Sequence, residues 1–409
     1  MLASNRWREV LIEGFTVKEK PRLDFKQAPF IDHHCHPYEP EKAALSAEGL
    51  AREFFHGMGD IPDPGVSKAR QWGATDELQY HFPNTGVVNT LVCQLSGLLS
   101  CPADLEAVAA ERNRRTAESF RAYAEFLYQD AGIVATVLDS GLEKNDPVLD
   151  LIPGKKLRLF KLEPAFEELL EKTDSYGELL REYQERLDRA VREDGFIGVK
   201  AHLAEQVGFG VLPVGQAAAA AAFAAAKKND TAAVKQLYVA VFTATLHQCR
   251  DLKVPVHLHS GFTGGLWNGP IADADPFLLA PFIRQHAFLN TRIVLLHAGY
   301  PWTKQAGQMA HTFPNMWVDM GQITPWASLR LADCYRDVMA WAPLSKIVIG
   351  SGGHGTPEIA WLSAKTAKIT LAAVLNDAVA HDLMAYEQAD RAGRMILHDN
   401  AARLYGLGP

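Results

Sequence analysis

Five histidines stand at the ends of short apolar runs, where they could bind a divalent metal. His34 and His36 end an early run, His257 and His259 a run in the middle of the chain, and His297 a third. In a β-strand, side chains two apart point to the same face, so each pair can project toward one point. Imidazole nitrogen is a common ligand of zinc and similar ions. A lone histidine would be read as a core or surface residue, but the set predicts a metal site.

The composition excludes several functional classes. The chain has 409 residues, of which 48% are hydrophobic and 22% charged, enough for a large buried core. A net charge of −7 gives no basic surface for nucleic acid. The sequence has no apolar run of about 18 residues, so no membrane span is expected. No signal peptide is expected either. Five scattered cysteines without CxxC spacing predict reduced thiols and a cytoplasmic location. The expected partner is a small-molecule substrate.

Eight strand-like runs alternate with helical segments along the chain. Near-continuous apolar strands of this kind predict a parallel sheet covered by helices. Eight units predict a closed (β/α)8 TIM barrel, an α/β fold with its active site at the carboxyl ends of the strands, where the histidines stand. The predicted strands are Phe30–His36, Ile133–Asp139, Leu157–Leu162, Phe196–His202, Val254–His259, Arg292–His297, Met316–Met320 and Ile347–Gly350. The clearest predicted helices are Leu105–Leu127, Glu167–Glu193 and Asp275–Phe288.

The chain is longer than the roughly 250 residues typical of this barrel. We therefore predict an N-terminal arm over residues 1–28 and one barrel domain over 29–409. Helical insertions are expected at about 37–130 and 204–250, after strands 1 and 4, over the mouth of the barrel.

Each predicted insertion carries one distinctive segment. The first contains a turn-rich piece at residues 60–65. The second contains the Ala-rich segment Gln216–Lys227, which we predict to be helical because alanine is the best helix former. We expect this helix and the following Leu237–Phe242 stretch to pack on the barrel or on a second subunit. A homodimer is compatible with either arrangement.

Alternation along strand 1 assigns its side chains to two faces. His34 and His36 share one face. Asp32 is expected on that same face, where its carboxylate could orient the two imidazoles. His33 and Cys35 are expected on the opposite face, toward the helices.

Strands 4 and 5 carry further candidate site residues. Lys200 lies in an apolar strand, where it must pair with a carboxylate, be modified or reach a ligand. His202 ends the same run. On strand 5 we favour His259 as a metal ligand and expect His257 one layer deeper.

The ordered set of motifs resembles the metal-dependent amidohydrolase superfamily. More narrowly, it is similar to the amidohydrolase-2 branch, including the FluG-type domain that precedes glutamine synthetase. The similarity runs from about residue 29 to 407. It rests on Ile31-Asp-His-His-Cys-His36, Val254-Pro-Val-His-Leu-His-Ser-Gly261, Val294-Leu-Leu-His-Ala-Gly-Tyr-Pro301 and Asn400-Ala-Ala-Arg-Leu-Tyr405.

The resemblance implies a (β/α)8 barrel that uses a divalent metal to hydrolyse amides or related bonds. His34, His36 and His259 match the family's metal ligands. His297 matches a histidine that binds a second metal or polarises substrate or water. Lys200 matches a lysine that is carboxylated in parts of the superfamily and bridges two metals, and its state here is open. We expect zinc, with manganese as the alternative, as one or two ions.

Strand 8 departs from the family pattern. Gly352 stands where the family has an aspartate that serves as ligand and proton shuttle. The chain could be an engineered inactive form, or a natural member whose base is His354, Glu358 or Asp319. It could also bind a ligand without turnover.

Charged and aromatic residues near the strand ends are candidates for holding the substrate. Arg158, Glu163 and Asp139 could grip an amino-acid-like substrate, since Arg suits carboxylate recognition, or they could pair with each other. Trp302 and Trp326 could wall the pocket or pack against insertions.

The remaining predicted substrate contacts are His202, His354 and Glu358. The predicted function is hydrolysis of an amide (C–N) bond by metal-activated water, with Gly352 in place of the catalytic aspartate. The alternatives are a non-oxidative decarboxylase on the same scaffold and a ligand-binding protein.

Overall fold

The structure of the protein is a computed structural model. The structure describes residues 8–12, 15–19, 21–54, 80–142, 144–261, 271–285 and 290–407. The turn-rich piece at 60–65 lies outside the described residues. Within the described part of the chain, no helix is long and apolar enough to cross a membrane.

Two sheets are present in the described part. Strands β1 and β2 form an antiparallel hairpin in the predicted N-terminal arm, and the other ten include the nine strands of a parallel sheet. The strands are β1 (Arg8–Ile12), β2 (Phe15–Glu19), β3 (Phe30–Tyr38), β4 (Ile133–Leu138), β5 (Lys155–Lys161), β6 (Gly198–Ala201), β7 (Val256–Leu258), β8 (Ile293–Leu295), β9 (Met316–Asp319), β10 (Gly321–Gln322), β11 (Ile347–Val348) and β12 (Gly353–Gly355).

The parallel sheet runs in the order β11-β9-β8-β7-β6-β5-β4-β3-β12. Its two ends belong to one chain segment, because β11 pairs with β9 and β12 with β3. Between β11 and β12, the amide of His33 donates to the Ile349 carbonyl (3.0 Å), and the amide of Gly352 donates to the His34 carbonyl (2.7 Å). The sheet therefore curls round on itself, as expected for a TIM barrel, and all eight predicted barrel strands are present.

Helices cover the outside of this sheet. The described α-helices are α1 (Ala47–Glu53), α2 (Gly86–Leu99), α3 (Leu105–Glu118), α4 (Phe120–Ala131), α5 (Leu162–Lys172), α6 (Tyr176–Arg192), α7 (Leu203–Val207), α8 (Gln216–Ala226), α9 (Thr231–Leu252), α10 (Ala280–Ile283), α11 (Thr303–Thr312), α12 (Ile323–Trp326), α13 (Leu331–Met339), α14 (Pro357–Ala380), α15 (Tyr386–Arg394) and α16 (Asn400–Leu404).

Two of the long predicted helices are broken by serine caps. Ser119 separates α3 from α4, and its side chain accepts a hydrogen bond from the Ala122 amide. Ser175 does the same at the start of α6, accepting from the Glu178 amide. Serine is favoured at these positions because its hydroxyl accepts a hydrogen bond from a backbone amide that has no partner within the helix. The third predicted helix is shorter than expected, with α10 preceded by a 3-10 turn at Pro276–Leu279.

The Ala-rich segment forms α8, as predicted. Its buried face consists of Ala219, Ala222, Phe223 and Ala226, and it packs against α9. Helices α1–α4 follow β3, and α7–α9 follow β6. That these segments are insertions into the barrel stays a prediction.

The barrel interior is apolar at the end opposite the histidines. Ile31, Ala135, Val294 and Val348 contact one another and the C-terminal helix α16, which contributes Leu404. This core supports the strands from below, so that their carboxyl ends hold polar side chains in fixed positions.

All five cysteines are free thiols.

Candidate metal centre

Five imidazole rings form a continuous arc at the carboxyl ends of the barrel strands. In order the arc consists of His36, His34, His297, His259 and His202. Neighbouring ring centroids are 5.1, 5.4, 4.6 and 5.5 Å apart. The structure thus brings together all four histidines that were predicted as metal ligands, and adds His202.

The first strand supplies two members of the arc and one residue that was assigned to the wrong face. The pairing of β3 with β4 shifts register between Asp32 and Cys35. Strict alternation fails at this irregularity, and both His33 and His34 turn into the barrel. The prediction that His33 faces the helices is therefore wrong, while Cys35 does pack in the outer core.

Asp32 holds the neighbouring strand rather than an imidazole ring. Its carboxylate accepts hydrogen bonds from the Ser351 amide and hydroxyl, both at 2.7 Å, and from the His34 amide at 3.3 Å. It thereby fixes the backbone of β3 against the β11–β12 segment.

His297 is placed by an unusual backbone. His297 and Ala298 have φ values of 63° and 47°, in the left-handed region that residues with side chains rarely adopt. The Asp319 carboxylate accepts from the His297 amide at 3.3 Å and from the Gly350 amide at 2.6 Å. These two bonds hold the end of β8 beside the β11–β12 segment.

A first three-donor cluster lies at one end of the arc. Cluster 1 consists of His34, His36 and Asp139, whose possible ligand atoms lie within 4.8 Å of one another. Two lysines form ion pairs with the Asp139 carboxylate. Lys200 Nζ lies 2.8 Å from Oδ2, and Lys161 Nζ lies 3.2 Å from Oδ1. Burial raises the pKa of Asp139, but the positive charges around it, that of Lys200 foremost, together outweigh burial and hold that pKa well below its usual range. Lys200 is therefore ion-paired, one of the alternatives foreseen for it.

A second cluster lies at the other end of the arc. Cluster 2 consists of His202, Glu205 and His259, again with ligand atoms within 4.8 Å. Glu205 was missed from the sequence. The signal is its spacing: three residues after His202, on the one-turn helix α7, it lies on the same side as that histidine.

Glu163 supports cluster 2. Its carboxylate accepts from the His202 amide (2.7 Å), from His202 Nδ1 (3.1 Å) and from the Tyr238 hydroxyl (2.6 Å). Both Glu163 and Asp139, predicted as substrate contacts, thus lie in the walls of the arc and bind its side chains.

A second polar layer lies beneath the arc. The Tyr405 hydroxyl is 2.6 Å from Nε2 of both His33 and His257, whose rings stack 4.6 Å apart. A hydroxyl has one proton, so it donates to one imidazole and accepts from the other. His257 is thus one layer deeper than His259.

The strand-8 glycine, Gly352, has a left-handed backbone conformation, which glycine adopts more readily than other residues. Gly352 has φ +61°, and a Cβ there would come within 2.4 Å of Gln322 Cγ. Beside it, His354 is partly exposed and lies parallel to Trp326 at 6.4 Å between ring centroids. Trp326 also donates from Nε1 to the Phe54 carbonyl at 2.7 Å.

Three residues that were predicted to contact the substrate or wall its pocket lie away from the arc: Arg158, Glu358 and Trp302. Arg158 donates to the carbonyls of Leu142 and Asp194 and lies 4.2 Å over the Phe196 ring, so its guanidinium is engaged outside the arc. Alternation on β5 explains this, because its neighbours Leu157 and Leu159 face the barrel interior.

The other two residues pack away from the imidazole rings. Glu358 is fully buried in an ion pair with Arg112 at 2.8 Å. Trp302 is partly buried and packs against the outer core.

The tautomers of the arc fit a metal ion. Carbonyl and carboxylate oxygens can only accept, so Nδ1 must donate from His36 to Asp139 O (3.1 Å), from His297 to Gly321 O (3.3 Å) and from His202 to Glu163. In its neutral form each of these rings then carries a lone pair on Nε2, the arrangement that metal-binding histidines use.

Burial also favours the neutral, ligating form of the rings. It lowers the pKa of His34 and His259 well below the usual value and that of His36 to about 3. His34 Nδ1 is buried without a hydrogen-bond partner in the described structure. Such a nitrogen costs free energy unless another ligand satisfies it. The residues present therefore fit a divalent metal.

Comparison with protein families supports this interpretation. The amidohydrolase family model matches residues 181–407, more than half of the chain. The chain belongs to the amidohydrolase family. The matched range includes His202, Glu205, His259 and His297, whereas His34 and His36 precede it.

Among curated proteins, the chain is similar to Protein fluG of Emericella nidulans. The two are 31% identical over 154 residues, which are 37% of this chain and 17% of that protein. The match therefore spans less than a fifth of the relative's length. It agrees with the FluG-type branch of the amidohydrolase family expected from the motifs.

Solved structures show the same fold. A Lactobacillus casei protein named as a metal-dependent hydrolase has a TM-score of 0.76 at 19% identity, covering 94% of this chain and 98% of its own. A Bacillus halodurans uronate isomerase has a TM-score of 0.62 at 14% identity, covering 94% of each chain. At these identities the likeness concerns the fold.

Proposed function

We propose that this amidohydrolase-family chain hydrolyses an amide (C–N) bond of a small, amino-acid-like substrate by means of a divalent metal. The observation that carries the proposal is the arc of five imidazoles at the strand ends, with lone pairs assigned to Nε2 on three of them. The FluG likeness supports a γ-glutamyl-type or similar small amide.

The residues that would hold the metal are His34, His36, His259 and His297, with zinc favoured over manganese and one or two ions. A bound divalent metal lowers the pKa of water toward neutrality and polarises a carbonyl. Because Lys200 is paired with Asp139, we assign it as a counter-ion and not as a carboxylated bridge.

A proton acceptor is needed where the family has its strand-8 carboxylate. Asp319 accepts two backbone hydrogen bonds and Glu358 is paired with Arg112, so neither is suited to that task. His354 is partly exposed and adjacent to Gly352, and we propose that its imidazole takes the proton and returns it to the leaving nitrogen.

A cation is needed for an amino-acid carboxylate. Arg158, expected in this role, is engaged elsewhere. Lys161 lies beside cluster 1 with 26% of its side chain exposed, and we propose that its ammonium binds the substrate carboxylate. With Arg158 absent from the arc, no observation favours the decarboxylase.

The test is hydrolysis of a panel of γ-glutamyl amides and N-acyl amino acids by the zinc-loaded chain. We expect turnover of at least one substrate, lost on chelation and restored by zinc. The matched variant Gly352→Asp, which restores the family carboxylate, should raise the rate. If neither chain cleaves any amide, the hydrolase proposal is wrong and a ligand-binding role takes its place.

We also propose that the chain is a cytoplasmic homodimer. The free thiols support the location. On α8, Ala217, Ala218, Ala220 and Ala221 are exposed, an apolar surface that a second subunit could cover. Light scattering after size exclusion should give twice the chain mass of 45.0 kDa, and a monomer would overturn the dimer.

A further inference from the structure

We infer that cluster 2 is a divalent-cation site in which Glu205 and His202 act as ligands together with His259. The inference rests on the proposed metal dependence and assigns two ligands that no strand-end motif supplied. It places the ion at the β6–β7 side of the arc.

The donor atoms of cluster 2 already converge. Glu205 Oε1 lies 3.3 Å from His259 Nε2, and Glu205 Oε2 lies 3.9 Å from His202 Nε2. Two imidazoles and a carboxylate are a common ligand set of catalytic zinc, which leaves a further position open.

The orientation of His202 is fixed from behind. Glu163 accepts from His202 Nδ1, so the neutral ring carries its lone pair on Nε2, which lies 3.9 Å from Glu205 Oε2. A lone pair beside a carboxylate is unfavourable unless a metal cation or a proton lies between them. The carboxylate–histidine pair formed by Glu163 and His202 is the arrangement that orients zinc ligands in known metal sites.

Local charge separates cluster 2 from cluster 1. The carboxylate of cluster 1, Asp139, is compensated by two lysine ammonium groups within 3.2 Å. Cluster 2 has the carboxylates of Glu205 and Glu163, and the ion pairs of both are with histidines. A dication is therefore attracted to cluster 2 more strongly than to cluster 1.

Glu205 also offers a replacement for the carboxylate ligand that the family has at strand 8. Gly352 offers no carboxylate from the β11–β12 side of the mouth. Glu205 supplies one from α7, which follows β6 on the opposite side of the barrel, and would hold the ion on that side.

The test compares zinc affinity of the unsubstituted chain with that of Glu205→Gln, by competition with a chromophoric chelator. Glu167→Gln is the matched control, since Glu167 is an exposed glutamate on α5 and belongs to neither cluster. We expect Glu205→Gln to weaken zinc binding at least about a hundredfold, because loss of even an outer partner costs 10- to 100-fold. Glu167→Gln should leave it unchanged.

Zinc affinity of Glu205→Gln within threefold of the unsubstituted chain would overturn the inference and leave the metal-dependent hydrolase intact. An unsubstituted chain that binds no zinc would overturn both. If Glu205→Gln does not fold, a zinc-edge anomalous map of the unsubstituted chain decides. A peak at bonding distance from Glu205 and His259 supports the site, and a peak only between His34 and His36 rejects it.

Discussion

Cluster 1 and cluster 2 each combine two imidazoles with one carboxylate, but their surroundings differ in charge. In cluster 1 the carboxylate neutralises the buried Lys200 and the partly exposed Lys161. In cluster 2 a second carboxylate orients an imidazole. Similar donors therefore have different surroundings: the carboxylate of the first set is compensated by two lysines, and the ion pairs of the second set's carboxylate are with histidines. Donor type alone does not define a metal site, because the neighbouring charges decide whether a carboxylate is available.

The largest expected effect concerns the ion pair of cluster 1. Lys200→Met would leave Asp139 buried with only Lys161, and breaking a buried pair costs about 3–5 kcal/mol. Urea unfolding should show a loss of about 3 kcal/mol. The matched variant Lys161→Met, at a partly exposed position, should lose about 1 kcal/mol or less. Equal losses would show that Lys200 is not the principal partner of Asp139.

The two clusters should also differ when a ligand is removed. His259→Asn is expected to weaken zinc binding at least about a hundredfold, whereas His36→Asn should weaken it about tenfold. Competition with a chelator measures both. The reverse order would move the ion to cluster 1 and remove the electrostatic distinction.

Opposite pH dependences should appear in the metal-free protein. The pKa of Asp139 lies below its usual 3.8, so its stabilisation is present above about pH 4 and is lost as pH falls. Burial raises the pKa of Glu205 above 4.5, so its contribution is full below that pH and is lost as pH rises through the folded-state pKa.

Urea unfolding from pH 3 to 8 measures both contributions. The stability penalty of Asp139→Asn should shrink below about pH 4. Glu205→Gln should become progressively more stable than the unsubstituted chain above about pH 4.5. Parallel curves for the two variants would contradict the assigned environments.

The smallest effect is expected at strand 8. In Gly352→Asp the new Cβ displaces Gln322 and occupies a left-handed backbone, which costs about 1–2 kcal/mol. Thermal unfolding should show this modest loss. A loss above about 4 kcal/mol would mean that this chain cannot accept the family's aspartate.

Much of the fold was predictable because local patterns determine it. Apolar runs placed all eight barrel strands, and alternation placed His34, His36 and His259 at one mouth. Alternation failed at His33, where the register of β3 shifts, since sequence does not show such irregularities.

Long-range contacts limited the prediction of the site. Arg158 was assigned by residue type, yet its partners include the Asp194 carbonyl, 36 residues away. Glu205 was overlooked because it lies on a one-turn helix after the strand and not on the strand itself.

The most direct test of the central claim is the metal content of the chain purified without chelator, measured by plasma mass spectrometry. The account predicts at least about one equivalent of zinc or manganese per chain, retained through dialysis. A metal-free chain that also fails to take up added zinc would contradict it.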